Sequence, residues 1–146
     1  MKAFLDDVKE YIKSAMPQGV SVNNAYSAFV EATPPHIFIE IINGAEDGET
    51  FDGEDLSRAD LQISVFCQQM TIDEKEFSAQ SAALALSDII KGKFDKVKMT
   101  QWNANIKTMR RVGAEFSMPT DALTYAAILR YSISVACPYQ KIYKEN

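Results

Sequence analysis

"ALTYAAILRYSISV", residues 122–135, is the stretch that decides the fold of this 146-residue chain. Apolar and aromatic side chains recur there at every second position: Leu123, Tyr125, Ala127, Leu129, Tyr131, Ile133 and Val135. The residues between them are smaller or more polar, and include Arg130 and Ser132. Because successive side chains of a strand point to opposite faces of a sheet, this alternation predicts one long strand with a buried face.

Three earlier runs also have the texture of strands. "HIFIEII" at 36–42 and "ADLQISVFC" at 59–67 both place aliphatic residues on one face, and their separation suits an antiparallel hairpin with a long tip. A further strand is predicted from about residue 102 to 111, with "GAEFSMPTDA" at 113–122 as the loop before the last strand. The residues predicted to share one face of that further strand are Trp102, Ala104, Ile106 and Thr108.

Two segments have helical spacing. Residues 3–16 carry an apolar stripe and are followed by "PQG", which ends the helix. Thr71 and Glu74 have the spacing of a capping box, which predicts a second, alanine-rich helix from there to about Lys91, with Gly92 as its stop. The pattern of residues 20–32 is ambiguous and is compatible with a short strand followed by a loop.

The element order is therefore helix, two strands, helix, two strands. It predicts an α+β fold, in which an antiparallel four-stranded (or slightly larger) sheet has two helices packed on one face. With no repeat or linker in the sequence, residues 1–146 are expected to form a single domain.

Composition excludes several classes of protein. Apolar residues make up 47% of the chain and charged residues 24%, which is typical of a globular protein. The net charge of −5 argues against general nucleic-acid binding, and no apolar run approaches the ~20 residues of a membrane span. Acids at Asp6, Asp7 and Glu10 interrupt any signal-peptide core, so synthesis in the cytoplasm is expected, where Cys67 and Cys137 would remain reduced.

The most acidic stretch, "AEDGETFDGED" at 45–55, could be a metal loop, a pair of catalytic acids or a solvated hairpin tip. Counted from Asp47, glycine comes second and Phe51 fifth, which does not fit the spacing of an EF-hand loop. Glu49 and Asp52 lie among glycines and other acids, where nothing would separate their pKa values as acid–base catalysis requires. A solvated tip that contacts another protein is the favoured interpretation.

The remaining chemistry-bearing residues are few. His36 is the single histidine, and it opens a strand after two prolines. Cys67 and Cys137 share parity with core positions of their strands, which predicts small buried residues rather than zinc ligands. No phosphate-binding glycine loop is present. The sequence therefore predicts no catalytic residue, no metal site and no cofactor, so an enzyme is not expected.

The charges are distributed unevenly. Residues 40–60 contain eight acids and one base, a formal charge of −7, whereas residues 91–111 contain seven bases and one acid, a formal charge of +6. Each block taken alone is typical of a solvated surface. If the two blocks lie on different sides of the domain, however, identical copies can join head to tail, and such contacts close into a ring when the rotation allows.

The order "PPHIFIEII", acidic loop, "ADLQISVFCQ", alanine-rich helix, a strand ending "MRRVG" and the final strand resembles the tail-terminator, or tail-completion, proteins of long-tailed bacteriophages. These are sometimes filed as minor capsid proteins. The resemblance implies a ring, usually a hexamer, at the head-proximal end of the tail. Such a ring stops tail-tube polymerisation and docks to the head–tail connector, and genomic DNA passes through its lumen without specific binding.

The same resemblance implies assembly in the host bacterial cytoplasm and a place in the virion, with no catalytic residue. It assigns the interaction sites to the loops at 44–58 and 113–122 and to bases that would meet a neighbour's acids. The residues so implied are Glu46, Asp47, Glu49, Asp52, Glu54, Asp55, Lys107, Arg110, Arg111, Glu115, Phe116 and Met118. Two alternatives stay open, a head–tail connector or neck protein of the same particle, and a cytoplasmic small-molecule-binding module or enzyme.

Overall fold

The computed structural model describes residues 2–26, 33–49, 54–96, 102, 105–117 and 123–138; at 43, 45–49, 54–57, 105, 107, 117 and 135–138 it describes the backbone only. Two helices and seven strands lie in this part of the chain. In chain order they are α1 (Lys2–Ala15), β1 (Ser21–Asn24), β2 (His36–Glu49), β3 (Glu54–Cys67), β4 (Met70–Ile72), β5 (Lys75–Phe77), α2 (Ala79–Asp95), β6 (Asn105–Ser117) and β7 (Tyr125–Pro138).

The main sheet has five strands in the order β1-β2-β3-β7-β6, and β4 and β5 form a separate two-stranded sheet. The four strands β2, β3, β7 and β6 are antiparallel to their neighbours, whereas β1 runs parallel to β2. The α+β fold is thus confirmed. The sheet is one strand larger than four, as the prediction allowed, but it is mixed rather than purely antiparallel, because four residues within the ambiguous segment 20–32 add a parallel strand at the edge.

The final strand forms as its alternation predicts. β7 pairs with both β3 and β6, and its five described alternate residues on the helix-facing side are buried: Tyr125, Ala127, Leu129, Tyr131 and Ile133. Leu123, by contrast, precedes the strand and is 72% exposed, so its assignment to the buried face is wrong. The pattern begins where the pairing with Cys67 begins.

Both helices pack on one face of the sheet. α1 contributes Phe4, Leu5, Val8 and Ile12 to the core, and α2 contributes Ala82, Ala83, Leu86, Ile90 and Phe94. α2 contacts β3 and β7, and α1 contacts β1, β2 and α2. Cys67 is fully buried in the same core, as its parity predicts, while the side chain of Cys137 lies outside the described residues.

The start of α2 differs from the prediction. Thr71 lies in β4, and Glu74 lies in the turn to β5 with a positive φ of 67°, so the two residues do not form a capping box. Ser78 caps the helix instead, since its Oγ accepts a hydrogen bond from the Ser81 N–H at 3.2 Å. The helix also continues past Gly92 to Asp95, because Phe94 still packs into the core.

Three strands are longer than, or shifted from, the prediction. β2 runs to Glu49 and β3 begins at Glu54, so most of the predicted acidic tip is strand, and β6 continues to Ser117 through half of the predicted loop 113–122. Pairing with β3 and β7 supplies the backbone hydrogen bonds that these polar residues would not favour alone. Residues 50–53 and 118–122 lie outside the described residues.

The parity predicted for β6 is also wrong. Trp102 precedes the strand, and the register shifts between Ile106 and Thr108, where one extra residue is inserted. A β-bulge of this kind reverses the face of every following residue relative to a regular alternation. Ile106 is therefore buried, whereas Thr108 is exposed.

Candidate functional site

The sheet has an uncovered edge on each side. β1 pairs with β2 only at residues 36–39, so residues 40–49 have, among the described residues, no strand on the side away from β3. At the opposite side, β6 pairs with β7 along its length and has no second strand neighbour within the described ranges. An edge of this kind presents unpaired backbone N–H and C=O groups.

The two edges carry opposite charges. Glu46, Asp47 and Glu49 lie on β2, whereas Lys107, Arg110 and Arg111 lie on β6. β3 and β7 separate the two strands, a distance of about 14 Å at the usual spacing between neighbouring strands. The acids of β2 and the bases of β6 therefore lie on different edges of one sheet, which is the condition for head-to-tail joining of copies, whereas Glu54, Asp55 and Asp60 of the acidic block lie on the interior strand β3.

The charged parts of the two edges also lie at the same end of the sheet. Asn43 pairs with Asp60, Asp60 with Ser132, and Ser132 with Arg110. Three residues further along β2, Glu46 pairs with Ser57, Ser57 pairs with Val135, and Val135 pairs with Ile106. A rotation of one copy about an axis beside the sheet would therefore bring acidic and basic edges together with little axial shift.

Arg110 and Arg111, adjacent in sequence, have different surroundings. Arg110 pairs with Ser132 on the face without helices, whereas Arg111 pairs with Tyr131 on the helix-facing side. Burial raises the pKa of Tyr131 to about 12, and the positive charge of Arg111 acts against that rise. Both arginines are exposed, and Arg111 also lies near a buried hydroxyl, that of Tyr131.

Two other residues predicted as contacts have partners within the chain. Glu115 accepts a hydrogen bond from the guanidinium of Arg130 at 2.8 Å. Phe116 is 42% exposed, and the Lys91 ammonium lies 5.3 Å from the centre of its ring. Of the remaining residues, Asp52 and Met118 lie outside the described residues, and the side chains of Glu54 and Asp55 on β3 are not described.

A polar row crosses the face without helices, and the sequence did not predict it. Arg130 Nε donates to Gln62 Oε1 at 3.2 Å, and Gln62 Nε2 donates to Glu40 Oε1 at 3.3 Å. With Glu115 the row spans β2, β3, β7 and β6. The one sequence signal was Arg130, the lone charge in an otherwise uncharged strand, whose partners depend on which strands are neighbours.

The remaining candidates for chemistry, His36 and Cys67, lie on opposite faces of the sheet, because His36 pairs with Phe66, the residue next to Cys67. The ring of His36 stacks on Phe66 with centroids 6.3 Å apart, and burial lowers its pKa. Burial raises the pKa of the Cys67 thiol to about 11, which disfavours the reactive thiolate. No group of three or more His, Cys, Asp or Glu within the described ranges could hold a metal ion. A shallow cleft of about 360 Å³ is lined by Gln68, Gln69, Ser78, Ala79 and Leu123.

Comparisons with known proteins add little. No protein-family model matches the chain, and no curated protein sequence matches it. Among solved structures, a chain from the virion of a native gene transfer agent particle is similar at a TM-score of 0.46 and 11% identity, covering 88% of this chain and 84% of that one. A TM-score below 0.5 establishes neither a shared fold nor a shared function. Neither helix of the described part has the length and apolarity needed to span a membrane.

Proposed function

We propose that this chain is a structural protein of a phage-type virion, with the role of a tail terminator. In this role, copies of the chain assemble into a hexameric ring at the head-proximal end of the tail. The observation that carries the proposal is the position of three acids of β2 and three bases of β6 on opposite edges of one sheet, at the same end. A surface with unlike edges favours a heterologous contact, and a heterologous contact that closes gives a ring.

Charge at such edges acts mainly on encounter and specificity. Opposite charges speed association and align the partners, while like charges exclude the wrong pairing. Because the charges on β6 that have described side chains are exposed, their effect is screened as ionic strength rises. Assembly is therefore expected to weaken with added salt, which gives a simple diagnostic for this mode of joining.

The ring would serve as a surface for other polypeptides and carry out no chemistry. It would cap the last ring of the tail-tube protein, present its other side to the head–tail connector, and surround the path of the genome. A net charge of −5 suits that last task, since an acidic wall does not retain phosphates. The protein would accordingly be found in the tail or neck of the virion after assembly in the bacterial cytoplasm.

Three experiments test the proposal. Negative-stain microscopy of concentrated protein at low salt should show annuli with a central hole, and light scattering should show them dissociating as salt is raised. A monomer at every concentration and ionic strength would contradict the proposal. Deletion of the gene from its phage or prophage should then give tails of uncontrolled length, whereas tails of normal length beside unattached heads would indicate a neck protein instead.

A further inference from the structure

Resting on the ring-forming role proposed above, we propose that neighbouring copies join by backbone pairing of their sheet edges. β6 of one copy lies antiparallel to residues 40–49 of β2 in the next copy, so that one sheet continues across the interface. The partner is a second copy of this chain. The inference goes beyond charge complementarity because it specifies which residues lie opposite each other.

Both edges are long enough for such pairing. Among the described residues, the part of β2 with no strand on the side away from β3 has ten residues, 40–49, and β6 has 13 residues. A ten-residue pairing is about 33 Å long. In an antiparallel ladder every second residue directs its N–H and C=O toward a given neighbour, so about five residues on each edge can pair.

The direction of pairing follows from the topology. β2 is antiparallel to β3, β3 to β7, and β7 to β6, so β6 runs opposite to β2 within one copy. Suppose that the next copy is related by a rotation about an axis parallel to the strands, with the same face of its sheet toward that axis. The β2 strand of that copy is then antiparallel to the β6 strand of the first copy. The interface would then continue the alternation already present inside each subunit.

The β-bulges of the two edges specify the register. In β2 one extra residue is inserted at Ile42 and another at Asp47, because the register with β3 shifts at these two points. In β6 the inserted residues are Lys107 and Val112, where the register with β7 shifts. Each strand thus has two bulges with the same spacing of five residues. Bulges re-aim side chains and end regular pairing, so an edge partner must accommodate both.

Antiparallel pairing aligns both bulges at once. When Ile42 lies opposite Val112, Asp47 falls opposite Lys107, an aliphatic pair and an acid–base pair. Ile42 and Val112 are 37% and 49% exposed within one copy, and the contact would cover both. Within one copy, Asn43 of β2 lies level with Arg110 of β6 across the sheet. The proposed register differs from that alignment by two residues or fewer, so neighbouring copies need little shift along the strands.

The same features disfavour the alternatives. Pairing two β2 edges would bring acids together, and pairing two β6 edges would bring bases together, so like edges repel. Charges and bulges are also the usual means by which edge strands avoid indiscriminate pairing. Only pairing of β2 with β6 avoids the repulsion between acids and the repulsion between bases. This gives a head-to-tail contact rather than a two-fold dimer.

Engineered disulfides test this register. Two variants are made in a Cys137→Ser background, one with Ile42→Cys and one with Val112→Cys; Cys67 stays, since it is fully buried. Cysteines directly opposite each other across strands are within the 4.4–6.8 Å Cα separation that a disulfide requires. Oxidising a mixture of the two should give a cross-linked dimer containing one copy of each, whereas either variant alone should stay unlinked.

The matched control combines Val112→Cys with Asp47→Cys, which the register separates by five residues, and it should not cross-link. Cross-linking of Val112→Cys with itself would indicate a two-fold contact and overturn the inference. Rings without the mixed cross-link would leave the ring-forming function standing and reject strand pairing, whereas absence of rings in the unaltered protein would reject both.

Amide hydrogen exchange of the unaltered protein gives an independent measurement, which no failure of a variant to fold can affect. Assembly by strand pairing should slow exchange at alternate residues of 40–49 and 105–117, comparing concentrated protein at low salt with dilute protein at high salt. Rings with unchanged exchange at both edges would contradict the proposed pairing.

Discussion

Arg130 on β7 is joined to Glu115 on β6 by a hydrogen-bonded ion pair of 2.8 Å, and the same guanidinium donates to Gln62 on β3. Glu115 was predicted to meet a neighbouring subunit, but its carboxylate already has a partner within the chain. The side chains of Arg130 and Glu115 are 37% and 58% exposed. Their pairing stabilises the face of the sheet without helices, and it removes one acid from the contacts available to another copy.

We expect Glu115→Gln to lower the free energy of unfolding by less than about 1 kcal/mol, because an exposed ion pair contributes little. Self-association should be unchanged, since the carboxylate is directed to Arg130. Urea denaturation and sedimentation measure the two effects on the same sample. A large loss of self-association with an unchanged free energy of unfolding would show that Glu115 contacts a neighbouring subunit.

Arg110→Glu should weaken self-association at low salt and change thermal stability little, because Arg110 is exposed on the edge strand. Lys75→Glu, on the exposed β5, makes the same change in net charge away from both edges and should leave association unaltered. Arg111→Glu should differ from Arg110→Glu by also lowering the melting temperature, since it places a carboxylate near the buried Tyr131 hydroxyl. If Lys75→Glu and Arg110→Glu weaken self-association equally, the cause is the net charge of the protein and not a contact at the β6 edge.

Leu129→Ala and Ile133→Ala should each cost about 2–5 kcal/mol in the free energy of unfolding, since both side chains are fully buried and their loss leaves a cavity. Leu123→Ala is the matched control, and at 72% exposure it should change stability by no more than about 0.5 kcal/mol. If all three variants unfold at the same urea concentration, the assignment of the buried face of β7 is wrong.

Ser78→Ala should destabilise the protein by about 1 kcal/mol through loss of the helix cap. Thr71→Ala should cost less, because Thr71 is exposed in β4 and caps no helix. Chemical denaturation of the two variants side by side distinguishes them. The reverse order would favour the capping box that the sequence pattern predicts.

Stability should fall as pH rises from about 9 toward 11, because burial raises the pKa of Cys67 from its ordinary value of 9.0 to about 11. Below pH 9 the Cys67 thiol is protonated in both the folded and the unfolded protein, so its contribution to the free energy of unfolding does not change with pH. Above it the unfolded thiol ionises first, so the unfolded state is favoured. Cys67→Ala should reduce the slope of the urea midpoint against pH in this window, and an unchanged slope would show that Cys67 is not responsible.

The elements that could be predicted are those with a local period. The alternation in β7 and the apolar stripe of α1 each come from residues a few positions apart, and both form where the pattern indicates. Boundaries failed where the local signal was ambiguous. Thr71 and Glu74 have the spacing of a cap, but Glu74 and Asp73, both with positive φ, form the two-residue turn of the hairpin that joins β4 to β5.

The candidate site could be predicted in composition and not in geometry. The acidic and basic blocks can be counted directly in the amino-acid sequence, and so can the lone arginine in the final strand. Which partners those residues have could not be predicted. Arg130 meets Glu115 and Gln62 across two different strands, and the four bulges depend on the pairing of β2 with β3 and of β6 with β7.

The amino-acid sequence alone determined the two helices and the four longest strands, the buried face of β7 and the presence of two opposite blocks of charge, because periodicity and composition are properties of neighbouring residues. Only the tertiary structure decided that the acids of β2 and the bases of β6 occupy the two edges of one sheet at the same height, with bulges of equal spacing. Strand order and register depend on hydrogen bonds between residues far apart in the chain, and a local pattern does not specify such contacts.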